Sequence, residues 1–591
     1  MFKTLTTSGT LTSTFAMLTF VAATVAYAAP PTKLSPPNTD SASSTRVSTP
    51  ANPANARAVF LAKISATGPY ELWSTPIAGG SAVNLSGALV NGGAVLSYQL
   101  SKDGVHAVFR ADKEIDETFE LYSVPIDGSA LPVKRSGTLV SGGDVKSYEI
   151  GSTSQRVVYI ADKTISGRDE LWSVPIATGS GQKIAGSATP GRDVTSFRIS
   201  PNALRVVFMA DFDASDVFEL YTVDINNNVV TKISKPLVSG GAISDDYKIS
   251  TQSTSRVAYR ADADTLGKTE LYSVSITGGA TTTHSGTLVA GGDVKEFAFS
   301  PNASDIVFRA DKDADGVDEL FSVWVGGTPP IKISGPVALY GEVEEFQISP
   351  DSSRAIYKSS ETGSTQRLYS APLTGNQTVP LCSLLGPGDS VFGDQFAISP
   401  DSMSVAFVAR VAATSTDALF SAPINGGSCV DLSAPMVAGG NVDGDDFQIT
   451  LDSKRVVFTA DKDTEGVTEL YSVPIAGGMA TKISGELVAG GDVNNLTISA
   501  DSKWVAFIGD KSTNNVSELY AVALDGGGPL LDIDGDGQVL ATTDLLMVTR
   551  YQLGIRGAAL ITNAVSGTAT RTTFQVIEDY LRRVMSAPSP L

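Results

Sequence analysis

The 591-residue chain has two histidines, His106 and His284, and two cysteines, Cys382 and Cys429. A Ser-His-Asp or Cys-His centre would have to use one of two histidines that lie in different stretches, each in or near a predicted strand. No G-x-S-x-G elbow, CxxC or HExxH occurs. Both histidines therefore read as surface or packed residues. Basic side chains are also short: 43 Lys and Arg stand against 63 Asp and Glu, a formal net charge of −20. Wrapping nucleic acid needs clustered cations, which excludes nucleic acid as a partner and favours cations or a basic ligand. Past the first 28 residues, no run is long and apolar enough to span a bilayer.

Residues 1–28 read as an export signal. Lys3 gives a positive start, Leu11 to Val25 is mostly apolar, and Ala26-Tyr27-Ala28 fits a cleavage site. The expected location is secreted, periplasmic or cell-surface. Residues 29–43 have linker composition. Export permits a disulfide between Cys382 and Cys429, and two buried thiols are the other reading.

What the chain has in abundance is repetition. ELYSVPI or a near relative begins at Glu71, Glu120, Glu170, Glu219, Glu270, Glu319, Arg367, Ala418, Glu469 and Glu518, at intervals of 48 to 51 residues. A period of that size marks a solenoid, propeller or array. Fifty-six Gly and 29 Pro punctuate it as turns. The unit from Phe297 to Gly335 shows four short strands: FAFS, DIVFRAD, ELFSVWV and IKIS. In ELYSVPI, Tyr122, Val124 and Ile126 share one face and Leu121 takes the other. A sheet apolar on both faces must be covered on both, which stacked neighbours provide. The fold class expected is all-β: a β-propeller of about ten four-stranded repeats, followed by a small α-helical calcium-loop module. The first unit is expected to start at Thr45–Ser48 and the last to end with Leu530–Ile533. Propellers usually have ~4–8 blades, so ten units imply one large ring or two adjoining rings. The divergent stretch 360–430 is the expected place for a junction.

FQISPDSSRAIY (Phe346–Tyr357) and FAISPDSMSVAF (Phe396–Phe407), each followed by LYSAPL or LFSAPI, resemble TolB-type propeller repeats. The resemblance covers about residues 44–531 and implies the propeller fold. It also raises the reading of an envelope-associated helper. The chain differs in having Ser or Ala where the turn Gly is usual, more units, and no preceding α/β domain.

Two acidic patterns suggest Ca²⁺. The tip Asp311-Lys-Asp313-Ala-Asp315-Gly316-Val-Asp318-Glu319 carries carboxylates at positions 1, 3, 5 and 9, so a short loop could wrap oxygens around a hard cation. Weaker versions occur at Asp461, Asp463, Glu465 and Glu469, and at Asp211, Asp213 and Glu219. Asp and Gly are also ordinary turn residues, and eight units keep the Glu. A repeated structural hydrogen bond accounts for that Glu equally well. The sharper pattern runs from Leu531 to Gly557. Asp532, Asp534 and Asp536 occupy positions 1, 3 and 5, with Gln538 at position 7. Asp544, one residue late, closes a slightly enlarged loop. A helix is expected over Leu545–Leu553, and a second carries the stripe Phe574, Ile577, Leu581, Val584. Residues 532–585, with the calcium loop and a helix ending RYQLG, resemble a dockerin-type module; residues 586–591 form a tail. That resemblance implies calcium and a cohesin-like partner, although the second half lacks a D-x-D-x-D series.

The units differ most just before the first strand, where Asp245-Asp246, Glu344-Glu345, Asp394 and Asp445-Asp446 would cluster at a channel mouth. Solvated loop charge, an acidic patch for a cation or basic ligand, and a glycosidase carboxylate pair are the alternatives. The leading reading is a non-enzymatic binding scaffold for a protein or polysaccharide. The alternatives are a polysaccharide-active enzyme and a TolB-like helper.

Overall fold

The computed structural model describes residues 31–524, apart from 37–38, 49–54, 190, 252–254, 337–340, 361–364 and 376, together with parts of the stretch 544–581. The expected export signal and the loop residues Asp532, Asp534, Asp536 and Gln538 lie outside the described residues. Two compact units divide the chain, residues 28–526 and a C-terminal unit from 527.

Among the described residues, forty strands, β1 to β40 in chain order, form ten four-stranded antiparallel sheets. Blade 1 comprises β2 (Ser41–Val47), β3 (Arg57–Lys63), β4 (Glu71–Pro76) and β5 (Val83–Asn84). Blades 2 to 9 repeat that order. Blade 10 has β38 (Val493–Ile498), β39 (Trp504–Gly509) and β40 (Glu518–Ala523). Its fourth strand is β1 (Thr32–Lys33), with Thr32 opposite Ala521 and Lys33 opposite Tyr520. Two expectations are corrected here. Residues 29–43 are not a structureless linker, because β1 and the start of β2 lie within them. The outer position of blade 10 belongs to β1 and not to Leu530–Ile533, because an antiparallel edge takes whichever strand completes its backbone bonds.

The two-faced reading of ELYSVPI holds. Tyr122, Val124 and Ile126 pack with Val59 and Leu61 of blade 1, while Leu121 packs with Val157 and Tyr159 of blade 3. Each of ten apolar clusters joins one blade to the next. The tenth joins Ala506, Ile508 and Leu519 of blade 10 to Ala58, Phe60 and Ala62 of blade 1. The blades therefore close into one ring. Two rings would leave blades 10 and 1 unjoined and would join blades that are not consecutive. The ten clusters instead join consecutive blades, and blades 10 and 1 pack together, so that alternative falls. At about 25 cal/mol per Å² of apolar surface, burying one leucine contributes ~1.5–3 kcal/mol, and every blade is covered on both faces.

The first strand of each blade is innermost, because first strands of neighbouring blades approach one another. Their free edges are bridged by side chains. The Gln99 amide donates to Tyr148 O at 2.9 Å and accepts from Ile150 N at 3.2 Å. Gln448 repeats this with Leu496 O (2.9 Å) and Ile498 N (3.3 Å). The stretch 360–430 is not a junction. Instead, the Cys382–Cys429 disulfide ties blade 7 to blade 8 there. In the C-terminal unit, α1 (Asp544–Gln552) and α2 (Ala558–Ile561) bury Met547 and Leu560 with Ala564, Ile577 and Leu581. Among the described residues no helix is long and apolar enough to cross a membrane.

Candidate functional site

The acids of the 311–319 tip are held in separate places. Asp311 is buried, and its carboxylate accepts from Asp293 N at 2.6 Å and Gly316 N at 3.2 Å. Burial opposes ionisation of Asp311, yet these amides and Lys295 hold its carboxyl below the usual range. Asp313 is exposed beside Lys312 at 3.1 Å. Asp315 lies over Gly291, where an added Cβ would meet its carboxylate at 2.7 Å. Glu319 is buried and receives the Lys332 ammonium. Among the described residues, no three metal-ligating side chains gather.

Both bonding patterns recur around the ring. Asp162 and Asp461 repeat the Asp311 bridge, taking the tip amides of Gly167 (2.8 Å) and Gly466 (3.0 Å). Glu120 and Glu469 take Lys134 (2.6 Å) and Lys482 (2.9 Å) from the fourth strand. They also accept from Tyr122 (2.7 Å) and Tyr471 (2.8 Å). A tyrosine hydroxyl and an ammonium satisfy one buried carboxylate, which would otherwise be costly to bury. The structural hydrogen bond weighed for the repeated Glu is therefore present.

The units diverge at the inner rim. In blades 2 and 7 two residues separate the pairs Val95/Tyr98 and Val343/Phe346, but in blades 8 and 9 four separate Val391/Phe396 and Val442/Phe447, over the same span of partner strand. Both insertions, VFGDQF and VDGDDF, carry Gly-Asp. Such bulges re-aim side chains beside binding sites. The rim acids differ in their partners. Asp246 pairs with Arg260 (2.9 Å) and Glu345 with Lys358 (2.8 Å). Glu296 lies 3.8 Å from Arg309, and Glu344 accepts from Gln366 at 2.8 Å. Asp446 has Thr459 at the place of those cations, 3.4 Å away, and accepts from Leu496 N at 3.4 Å. Among the described residues no cation pairs with it. Burial pushes its carboxyl up to about 6, and Asp443 adds to the rise. The side chains of Asp394 and Asp445 lie outside the described residues. On the opposite arc the matching positions are serines, Ser97 and Ser196, bonded to Tyr148 (3.3 Å) and Tyr247 (3.2 Å). Sequence reasoning placed the acids at the rim but missed their pairing. The partner lies across the hairpin, as Arg260 does from Asp246, and only strand register shows it.

The histidines are packed. His284 is 1% exposed, its Nε2 is 2.7 Å from Ser273 Oγ, and burial pushes it down to about 4. No substrate reaches that buried pair. His106 starts a second strand, half-buried, and burial lowers it too.

No protein-family model matches the chain, and no curated protein does. Among solved structures, it is similar to the dipeptidyl peptidase 4 of Porphyromonas gingivalis, at 12% identity and TM-score 0.43, over 70% of this chain and 64% of that one. It is also similar to a chain from a structural and mechanistic analysis of two prolyl endopeptidases, at 12% identity and TM-score 0.35, over 64% of this chain and 55% of that one. The chain thus covers less than two thirds of either, and likeness at this level concerns the fold alone.

Proposed function

We propose that this chain is an exported, non-enzymatic binding scaffold that takes a basic protein segment at the inner rim of blades 7 to 9. The observation that supports the reading is the break in the repeat: two adjacent Gly-Asp insertions beside Asp446, a half-buried carboxylate without the cation that its counterparts have. A lysine or arginine from a partner supplies that charge. Electrostatic recognition of this kind weakens with salt. The test is calorimetric titration of the mature protein with a lysine decapeptide at low and high salt. Binding that weakens with salt and falls in the D446N variant supports the reading. Absence of binding at low salt removes it.

The alternative of a polysaccharide-active enzyme draws on the same raised carboxyl, since an acid catalyst must hold its proton near neutral pH. A carbohydrate-panel assay decides: hydrolysis by the parent that D446N abolishes favours the enzyme. Fractionation that finds the protein released into the medium would oppose the TolB-like helper reading. We further propose that Asp532, Asp534, Asp536, Gln538 and Asp544 hold Ca²⁺ and stabilise the C-terminal unit. The support is the residue spacing, and the small core of Met547, Leu560, Ile577 and Leu581 that a closed loop would anchor. Calorimetric melting of the whole protein with and without chelator tests it. An unchanged trace would remove the assignment. A cohesin-like partner rests on the resemblance alone.

A further inference from the structure

The seam between blades 7 and 8 lacks the charged side chains that fill several of its equivalents. In blades 2, 3, 6, 9 and 10 a lysine stands two residues past the second strand and can reach back to the preceding loop, whereas the same register in blades 1, 4 and 5 holds Ile64, Phe212 and Ala263. Lys113 donates to Ala88 O, Lys462 to Pro435 O (2.6 Å) and Lys511 to Glu486 O. Some also cover a ring: Lys163 lies 4.3 Å from the centre of Trp172. In blade 8 that register holds Val411, since Ala409 faces Ala418 as Ala111 faces Glu120. Across the seam, the usual Glu is Arg367 and its usual Lys partner is Pro380.

A cavity of about 580 Å³ lies at this seam, walled by Leu368, Tyr369, Leu385, Val391 and Phe407, with Arg367 also on its lining. Its size suits a small molecule. The guanidinium is fixed by donation to Gly386 O and Asp389 O, 2.7 Å each. No carboxylate pairs with it among the described residues. Asp389 is committed to Gly386 N (2.7 Å) and Ala412 N (2.8 Å). The loop that carries those carbonyls starts at Cys382, which the disulfide anchors to blade 8. A rigid fork with unused N–H groups, next to aromatic and aliphatic walls, matches a planar anion on an apolar body.

We propose that this cavity binds a small carboxylate with an aromatic body, its carboxylate on Arg367 and its ring against Tyr369 and Phe407. The site is separate from the rim, so either reading can fail without the other. The test is titration of the mature protein with 2-naphthoate, followed by calorimetry and by chemical-shift or saturation-transfer NMR. One-to-one binding is expected. Arg367→Gln weakens it at least about tenfold, the loss of a charge-assisted bond. Val411→Lys, which supplies the lysine that blades 2, 3, 6, 9 and 10 carry while leaving Arg367 in place, weakens it comparably and keeps the parent's melting temperature. Replacing the acid with 2-naphthamide gives the same loss. The proposal is overturned if the parent does not bind, if Val411→Lys binds like the parent, or if the amide binds as tightly as the acid.

Discussion

The turn between the first and second strands shows how one residue trades strain for a contact. Ser352, Ser402, Ser453 and Ser502 have φ between 60° and 63°, where glycine is the usual occupant. Each hydroxyl accepts a backbone N–H from the preceding blade: Asn302, Asp351, Asp401 and Asp452, at 2.9 to 3.1 Å. Serine replaces glycine here because its side chain joins two blades. Ser402→Ala keeps the strain and loses the bond, and is expected to cost about 1 kcal/mol in chemical denaturation. Ser402→Gly loses both and stays within a few tenths of that value of the parent. An alanine variant as stable as the parent would refute the account. A second residue-scale prediction concerns Asp446. Its carboxyl is raised by burial from 3.8 to about 6. The folded state thus binds the proton more readily than the unfolded one. The favourable contribution is complete below pH 4 and is lost as pH rises through about 6. Asp446→Asn should therefore stabilise the protein at pH 8, by up to on the order of 2 kcal/mol, and make little difference at pH 4. Melting the two proteins across that range checks the sign.

Among elements, β1 matters out of proportion to its two residues. Lys33 reaches Glu518 as Lys332 reaches Glu319, and Leu34 is buried in the seam between blades 10 and 1. Ser35 Oγ accepts Leu519 N at 3.3 Å, as Ser234 accepts Leu220 N. Lys33→Glu sets two carboxylates together in a largely buried site and is expected to cost on the order of 2 kcal/mol. Adding Glu518→Lys should recover part of that loss. Equal stability of Lys33→Glu and the parent in urea titrations would show that β1 does not hold the ring. The same element marks the limit of sequence reading. Strand order, both apolar faces and blade count were legible, because every unit repeats the same local pattern. TKLS at 32–35 matches TKIS at 231–234 and 481–484, yet its Pro- and Ser-rich neighbours pointed to a linker. Ring number was not legible, since ten alike seams leave no mark of where a circle closes. The rim acids were visible in the sequence, while the loss of a cation beside Asp446 and of a lysine at Val411 appeared only once register aligned the blades.

For the whole molecule, closure makes the seams equivalent. The second residue of every ELYSVPI-like segment is leucine, from Leu72 to Leu519, and each is buried against the next blade. In an open array, the last of these would face solvent or a loose cap, and its loss would be nearly silent. In the ring, Leu519 meets Ala58, Phe60 and Leu34, just as Leu470 meets Val493, Val505 and Phe507. Leu519→Ala and Leu470→Ala should therefore each cost about 2–5 kcal/mol, the range for a buried leucine that leaves a cavity. Both losses should appear in the main calorimetric transition. The comparison is internal, with the same substitution, the same register and adjacent seams, so errors in absolute stability cancel. A Leu519→Ala variant that loses far less than Leu470→Ala would mean that blades 10 and 1 part in solution. Ten sheets would then form an arc held at nine seams, and the inner rim would no longer encircle a channel.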